Sequence, residues 1–198
     1  MHKVFISYHH ANDQFYKESL VTFAHKHRIF IDASVDTGDI PGHLTDERIR
    51  EVIRDEYLRD STVTIVLVGT ETKCRKHVDW EIYSSMHDGV VNKKSGILAI
   101  NLPGTSTNFT VSHDGEKGSV YPDVRSWTSV ETRAEYESRY PYMPDRLIDN
   151  LLEPEAKVSV VPWSRINAAR LKFLVDAAFE DRGRCEYDLS RSMRRANS

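Results

Sequence analysis

Polar and aromatic residues follow three apolar segments of the chain, and their types suit the binding of a small polar ligand. Hydroxyl, imidazole and carboxylate groups can hydrogen-bond such a ligand, and tyrosine or tryptophan rings can stack on it. A carboxylate can also stabilise positive charge that develops in a transition state, and an arginine can meet a phosphate. These residues are Ser7, Tyr8, His9 and His10, then Asp32, Ser34 and Asp36, then Gly69, Thr70 and Arg75, and finally His77, Trp80 and Glu81.

The elements that must position these residues alternate between strand and helix. Short apolar runs predict strands, and apolar residues at helical spacing predict amphipathic helices. Residues 62–68 form an almost continuous apolar run, which is typical of a central parallel strand buried on both faces. Strands are predicted at 3–8, 28–32, 62–68, 96–101 and 158–161. Helices are predicted from Asn12 to about His25, from Thr45 to Leu58, from Lys76 to Asp88 with Gly89 as C-cap, near 129–138 and 144–152, and from Ser164 onward.

This alternation predicts an α/β fold, because each helix returns the chain to begin another parallel strand. We expect a flavodoxin-like three-layer fold, with a five-stranded parallel sheet in the order 2-1-3-4-5 and helices on both faces. Ligands bind such sheets beyond the carboxyl ends of the strands, near the point where the strand order reverses. The polar residues named above fall at that edge.

The predicted domain spans residues 1–182. Its core covers 3–101 and 158–181, and an insertion at 102–157 precedes the last strand. Aromatic residues within the insertion argue against a disordered linker, so we expect it to pack on the core. An arginine-rich tail follows at 183–198, and we expect it to be frayed and solvated.

Composition limits the function classes. The 198 residues are 39% hydrophobic and 10% aromatic, which indicates a globular protein. A net charge of −3 argues against a general nucleic-acid binder. Without an apolar run near the roughly 20 residues that span a bilayer, or a signal peptide, we expect a cytoplasmic protein that does not bind membranes. Cys74 and Cys185 are expected to be free thiols, and His25 with His27 lacks the partners of a zinc site, so no metal is predicted.

Several common functions of this fold are excluded by the residues at its ligand-binding edge. Residues 7–12 are bulky and contain no glycine, unlike a flavodoxin phosphate loop. Tyr8-His9, Gly69 and Pro162-Trp163 stand where a response-regulator receiver needs its acidic pair, aspartate and lysine. The sequence contains neither a Walker A loop nor Gly-x-Gly-x-x-Gly.

Two segments resemble TIR (Toll/interleukin-1 receptor) domains. Phe5-Ile6-Ser7-Tyr8 is similar to their opening motif, and residues 66–70 followed by 74–82 are similar to their third strand and the helix after it. Asp32-Ala33-Ser34 and the insertion before the last strand resemble the TIR-like proteins of the bacterial Thoeris anti-phage system. The resemblance covers roughly residues 3–101 by motif and 158–181 by pattern alone.

The resemblance implies cleavage of NAD⁺, which is a substrate here and not a cofactor. In enzymatic TIR domains a glutamate on the third helix is essential for breaking the nicotinamide–ribose bond, and the matching residue is Glu81. The resemblance also adds Phe5 to the candidate substrate-binding residues. In the Thoeris branch the ADP-ribosyl group becomes a cyclic or otherwise modified messenger that activates a separate effector. A phage-derived activator and a homo-oligomer are further partners that the resemblance suggests.

Two other functions stay open at this point. A non-catalytic TIR scaffold would signal by self-assembly through TIR–TIR contacts and would not need Glu81 in a polar pocket. A nucleoside deoxyribosyltransferase-like enzyme shares the fold type and also directs a glutamate at an anomeric carbon. For several residues a structural role is also open: Trp80 as core, Asp32 as the cap of a turn, and Glu81 as an exposed glutamate paired with Lys73 or Arg75.

Overall fold

A five-stranded sheet forms the centre of the computed structural model, which describes residues 1–34, 44–89 and 93–197. All neighbouring strands are parallel and their order is β2-β1-β3-β4-β5, which confirms the predicted topology. Register pairs Ser7 with Val66, and Val68 with Asn101. The strands are β1 (His2–Ser7), β2 (Phe30–Asp32), β3 (Val63–Val68), β4 (Gly96–Asn101) and β5 (Val158–Pro162).

Seven α-helices accompany the sheet in the described ranges, with one π-helical turn (Ile53–Tyr57) and three short 3-10 turns (Thr72–Cys74, Pro103–Thr105 and Trp163–Arg165). The α-helices are α1 (His10–His27), α2 (Asp46–Val52), α3 (Lys76–Met86), α4 (Asp114–Val120), α5 (Arg133–Arg139), α6 (Asp145–Leu152) and α7 (Ala168–Asp181). Thr45 caps α2 as predicted, because its side chain accepts a hydrogen bond from the Arg48 backbone N–H.

Three predicted helix ends are wrong. Helix α1 begins at His10 after the N-cap His9, and not at Asn12. Helix α3 ends at Met86, since His87 takes an extended conformation before Gly89 is reached. Helix α7 is capped by Asn167, whose side chain accepts from the Arg170 N–H, whereas the predicted cap Ser164 lies in the preceding 3-10 turn.

Alternating side chains of the strands pack on the two faces of the sheet. On one face, Ile6 and Leu67 lie in a core with α1 and α7, which contribute Leu20 and Leu174. On the other face, Val66 packs with α3 and α6, and Phe5 packs beside α2. Strand β3 is buried along its whole length, as its apolar run predicted. Both faces are therefore covered by helices, which completes the three layers.

The insertion packs on the sheet, as expected. Tyr136 and Tyr140 are buried beside α6, and Val111 forms an antiparallel bridge with Val160 of β5. Helices α5 and α6 lie near their predicted positions, whereas α4 was not predicted. Its segment contains Gly115 and Gly118, which weaken a helical pattern.

The C-terminal tail is ordered, and the prediction that it is frayed and solvated is wrong. Cys185 is buried, and Met193 is buried in the core cluster that contains Trp80. The backbone carbonyl of Arg194 accepts a hydrogen bond of 2.7 Å from the Trp80 indole N–H. Tail residues 185–197 therefore complete the core beside α3, although charged side chains dominate their sequence.

Candidate functional site

Glu81 and Ser7 form the centre of the candidate site. Ser7 ends β1 and Glu81 lies in the second turn of α3, so both face the same side of the sheet. The Ser7 hydroxyl donates a hydrogen bond of 2.6 Å to Glu81 Oε2. Glu81 is only 4% exposed, and Ser7 is fully buried. This rules out an exposed Glu81 paired with Lys73 or Arg75, because the carboxyl points under the sheet edge.

The electrostatic setting of Glu81 favours its protonated form in the free protein. Burial raises the pKa of Glu81 from 4.5 to about 8, and the hydrogen bond from Ser7 opposes that rise. Burial acts in this direction because a carboxylate loses hydration when it leaves water. A cationic ligand next to Glu81 would favour the ionised form. A strongly shifted carboxyl at the edge of such a sheet is a feature of functional sites.

Two residues after β2 hold the neighbouring strand end in place. The Ser34 Oγ accepts a hydrogen bond of 2.9 Å from the Ile6 backbone N–H, and so ties the loop to β1. Asp32 accepts from the Ser34 N–H at 3.0 Å and forms an ion pair with Lys17 at 3.0 Å. Asp32 therefore caps the turn, which the sequence left open. Asp36 lies outside the described residues, as do the predicted loop positions Gly38, Pro41 and Gly42.

The turn from β1 into α1 places Tyr8 and His9 differently. Tyr8 is buried in the core on the α1 face, and its hydroxyl bonds Gln14 Oε1 at 2.5 Å. Its ring stacks on His10 with 4.3 Å between centroids. His9 is the N-cap residue of α1, and its Nδ1 is buried without a hydrogen-bond partner among the described residues. Burial, and to a lesser degree the charge of Arg75, lowers the pKa of His9.

Gly69 ends β3 and lies against a carboxylate that sequence reasoning missed. A Cβ at position 69 would lie 2.4 Å from Oδ2 of Asp13, in the first turn of α1. Asp13 is 6% exposed, and burial raises its pKa. Because β1 and β3 lie at the point where the strand order reverses, Asp13 stands at the expected ligand edge. Its place directly after β1 was the signal available in the sequence.

Thr70, Arg75 and His77 lie beyond β3. Thr70 is exposed. Arg75 forms an ion pair with Glu71 and helps to line a cleft of about 200 Å³ at the start of α3. The ring of His77 meets Trp80 edge-on, with centroids 5.0 Å apart.

Phe5 and Trp80 belong to the core. Both are fully or almost fully buried in a cluster with Ile49, Ile53 and Met193. Trp80 is 0% exposed and spends its only N–H on the tail. The alternative between core and pocket wall is thereby decided for Trp80, since the cluster surrounds its ring.

Asp79 and Arg146 anchor the helix that carries Glu81, and sequence reasoning named neither. Arg146 of α6 is fully buried and pairs with both carboxylate oxygens of Asp79 on α3. It also donates to the backbone carbonyls of Arg191 and Ser192 in the tail. Insertion, tail and α3 therefore meet at one guanidinium.

Within the described ranges, no cluster of three or more His, Cys, Asp or Glu side chains could hold a metal ion. Cys74 and Cys185 are free. No helix in the described part of the chain has the length and apolar character needed to cross a membrane.

A flavodoxin-like sheet with a buried glutamate under its carboxyl edge agrees with a TIR-like domain. Residues 5–107 match the family described as Thoeris protein ThsB, TIR-like domain, which is just over half of the chain. The chain therefore belongs to the ThsB TIR-like family of Thoeris anti-phage defence. The match covers β1 to β4 with Ser7 and Glu81, and ends before most of the insertion. No curated protein matches the chain.

Proposed function

We propose that this protein cleaves the nicotinamide–ribose bond of NAD⁺ and converts the ADP-ribosyl group into a cyclic or otherwise modified messenger. The observation that carries the proposal is the buried Glu81 carboxyl, held by Ser7 at 2.6 Å under the ligand edge of a ThsB-family chain. A pure interaction scaffold does not require a buried carboxyl there, where its desolvation lowers stability.

Glu81 acts through its charge in this reaction. Departure of neutral nicotinamide leaves an oxocarbenium-like ribosyl centre, as in glycoside hydrolysis. A carboxylate beside that centre stabilises charge that is greatest in the transition state, and a poorly hydrated site strengthens the effect. Since nicotinamide leaves a cationic nucleotide as a neutral molecule, no strong general acid is needed. The free carboxyl is mostly protonated near neutral pH, so binding of cationic NAD⁺ must favour loss of its proton.

Ser7 orients the carboxyl. Its hydroxyl donates to Oε2 and so favours the ionised form of Glu81. Formation of a cyclic product requires a nucleophile of the same molecule to reach the anomeric carbon before water does, which is a matter of positioning and water exclusion. The messenger would then act on a separate effector protein, with a phage component as the activating signal.

Product analysis by mass spectrometry tests the proposal. Purified wild-type protein is incubated with NAD⁺ beside Glu81→Gln, which keeps the side-chain size and an acceptor for Ser7. Glu56→Gln, an exposed position, is the matched control for loss of one negative charge. We expect nicotinamide and an ADP-ribose-derived product from wild type and Glu56→Gln, and neither from Glu81→Gln.

The same assay on filtered lysates of phage-infected cells covers a protein that requires activation. Turnover by Glu81→Gln at the wild-type rate would contradict the catalytic role. Absence of turnover by wild type both in purified form and in infected-cell lysates would contradict NAD⁺ cleavage and favour a TIR scaffold. Cleavage of deoxynucleosides with indifference to NAD⁺ would indicate a deoxyribosyltransferase.

A further inference from the structure

Asp13 is a buried carboxylate with an unsatisfied oxygen at the point where the strand order reverses. It is 6% exposed, and no group in the described ranges hydrogen-bonds its buried Oδ2. An unpaired polar atom in such a position is unfavourable, because it has lost water without gaining a partner. Since native structures satisfy most buried polar atoms, this oxygen calls for a partner from outside the described chain.

Gly69 keeps the space in front of this carboxylate open. A Cβ at position 69 would lie 2.4 Å from Oδ2 and 2.6 Å from Oδ1 of Asp13, which is far inside van der Waals contact. The backbone N–H of Gly69 is already bonded to Thr72 Oγ1 at 2.8 Å. The end of β3 therefore approaches the carboxylate closely without taking up its acceptor capacity.

His9 shows the same deficit beside Asp13. Its backbone carbonyl accepts the Asp13 N–H at 2.9 Å, so the two residues belong to one helix start. Nδ1 of His9 is also buried without a partner among the described residues. Two unsatisfied side-chain atoms thus lie together between β1 and β3, where this sheet topology places ligands.

We propose that Asp13 accepts a hydrogen bond from a ribose hydroxyl of the dinucleotide substrate. This rests on NAD⁺ being the substrate, as proposed above. A carboxylate accepts hydrogen bonds and repels phosphate, so among the groups of a dinucleotide it suits the ribose diol. Dinucleotide-binding sheets use an acidic side chain for a ribose hydroxyl in the same way. Asp13 is then a substrate-binding residue separate from Glu81.

Binding of NAD⁺ to Glu81→Gln protein, which does not consume the ligand, tests this assignment by calorimetry. Asp13→Asn in that background should weaken binding by about 10- to 100-fold, as expected for loss of a charged acceptor. Asp60→Asn, an isosteric change at an exposed residue near the amino edge of the sheet, should leave binding unchanged. Gly69→Ala should mimic Asp13→Asn, because its Cβ displaces the carboxylate and leaves its charge in place.

Deoxy analogues of NAD⁺, each lacking one ribose hydroxyl, separate recognition from a structural role. One analogue should bind the Asp13-containing protein about 10- to 100-fold more weakly than NAD⁺, and the Asp13→Asn protein should not distinguish the two. Equal discrimination by both proteins, or NAD⁺ binding by Asp13→Asn within about twofold of its parent, would overturn the assignment alone. Absence of NAD⁺ binding by the parent together with absence of wild-type cleavage would overturn both proposals.

Thermal unfolding of each variant completes the test. A structural Asp13 would lower the melting temperature on substitution and leave ligand discrimination intact. Asp13→Asn should instead keep the wild-type melting temperature or raise it, because the substitution removes a desolvated, unpaired charge.

Discussion

Arg146 and Asp79 form a two-point ion pair inside the protein, with Nε at 2.9 Å from Oδ1 and Nη2 at 3.2 Å from Oδ2. The pair joins the insertion to α3, two residues before Glu81. Arg146 also lies over the Tyr83 ring, 4.8 Å from its centroid. The catalytic helix of the proposed enzyme is therefore held from outside the segment that matches the family.

Arg146→Met should destabilise the fold by about 3 kcal/mol, because it leaves the buried Asp79 charge and the two tail carbonyls without their donor. Urea unfolding monitored by circular dichroism measures the free energy of unfolding. The double variant Asp79→Asn with Arg146→Met should lose less stability than the sum of the single variants, since each single change strands a partner. Additive losses below about 0.5 kcal/mol would argue against the pair.

Activity should depend on pH through Glu81. Its pKa of about 8 in the free protein predicts that kcat/KM for NAD⁺ rises with pH and levels off above about pH 8, because the carboxylate is the active form. Ser7→Ala removes a hydrogen bond that favours the ionised form, so its profile should shift to higher pH. Initial rates of nicotinamide release from pH 6 to 9.5 measure both profiles. A flat wild-type profile would contradict the assignment.

Stability should depend on pH in the opposite sense. The folded pKa of Glu81 is raised to about 8 from 4.5, so its contribution is fully present below pH 4.5 and is lost as pH rises through 8. Integrated over that window, the loss is on the order of a few kcal/mol. Glu81→Gln lacks the titrating group and should become more stable than wild type toward pH 9. Urea unfolding at pH 5, 7 and 9 compares the two proteins, and parallel pH dependences would contradict the shift.

The tail should contribute measurably to stability through Met193. This residue is 3% exposed beside Trp80, so Met193→Ala should lower the free energy of unfolding by about 2–4 kcal/mol. Arg184→Ala, at an exposed position, is the control and should change it by less than about 0.5 kcal/mol. Chemical denaturation followed by tryptophan fluorescence measures both. Equal stabilities of the two variants would indicate that the tail does not pack on α3.

Local patterns predicted much of the fold. The continuous apolar run of β3 and the Thr45 cap act through neighbouring residues, and the structure confirms both. Helix ends were predicted less well, as at Ser164, because several nearby residues can cap a helix and the packing of the chain selects one. Glu81 was named through family resemblance, since helical spacing alone does not say whether a carboxyl faces solvent or a strand.

Residue types and their order along the chain determined the α/β class, the parallel sheet and the set of polar groups at its ligand edge. Only the tertiary structure decided which of those groups are buried and which lack partners. Asp13 meets Gly69 across 56 positions of sequence, and Arg146 meets Asp79 across 67. Burial and pairing depend on groups brought together by the whole fold, and the same packing that buries Glu81 sets the pKa of its carboxyl.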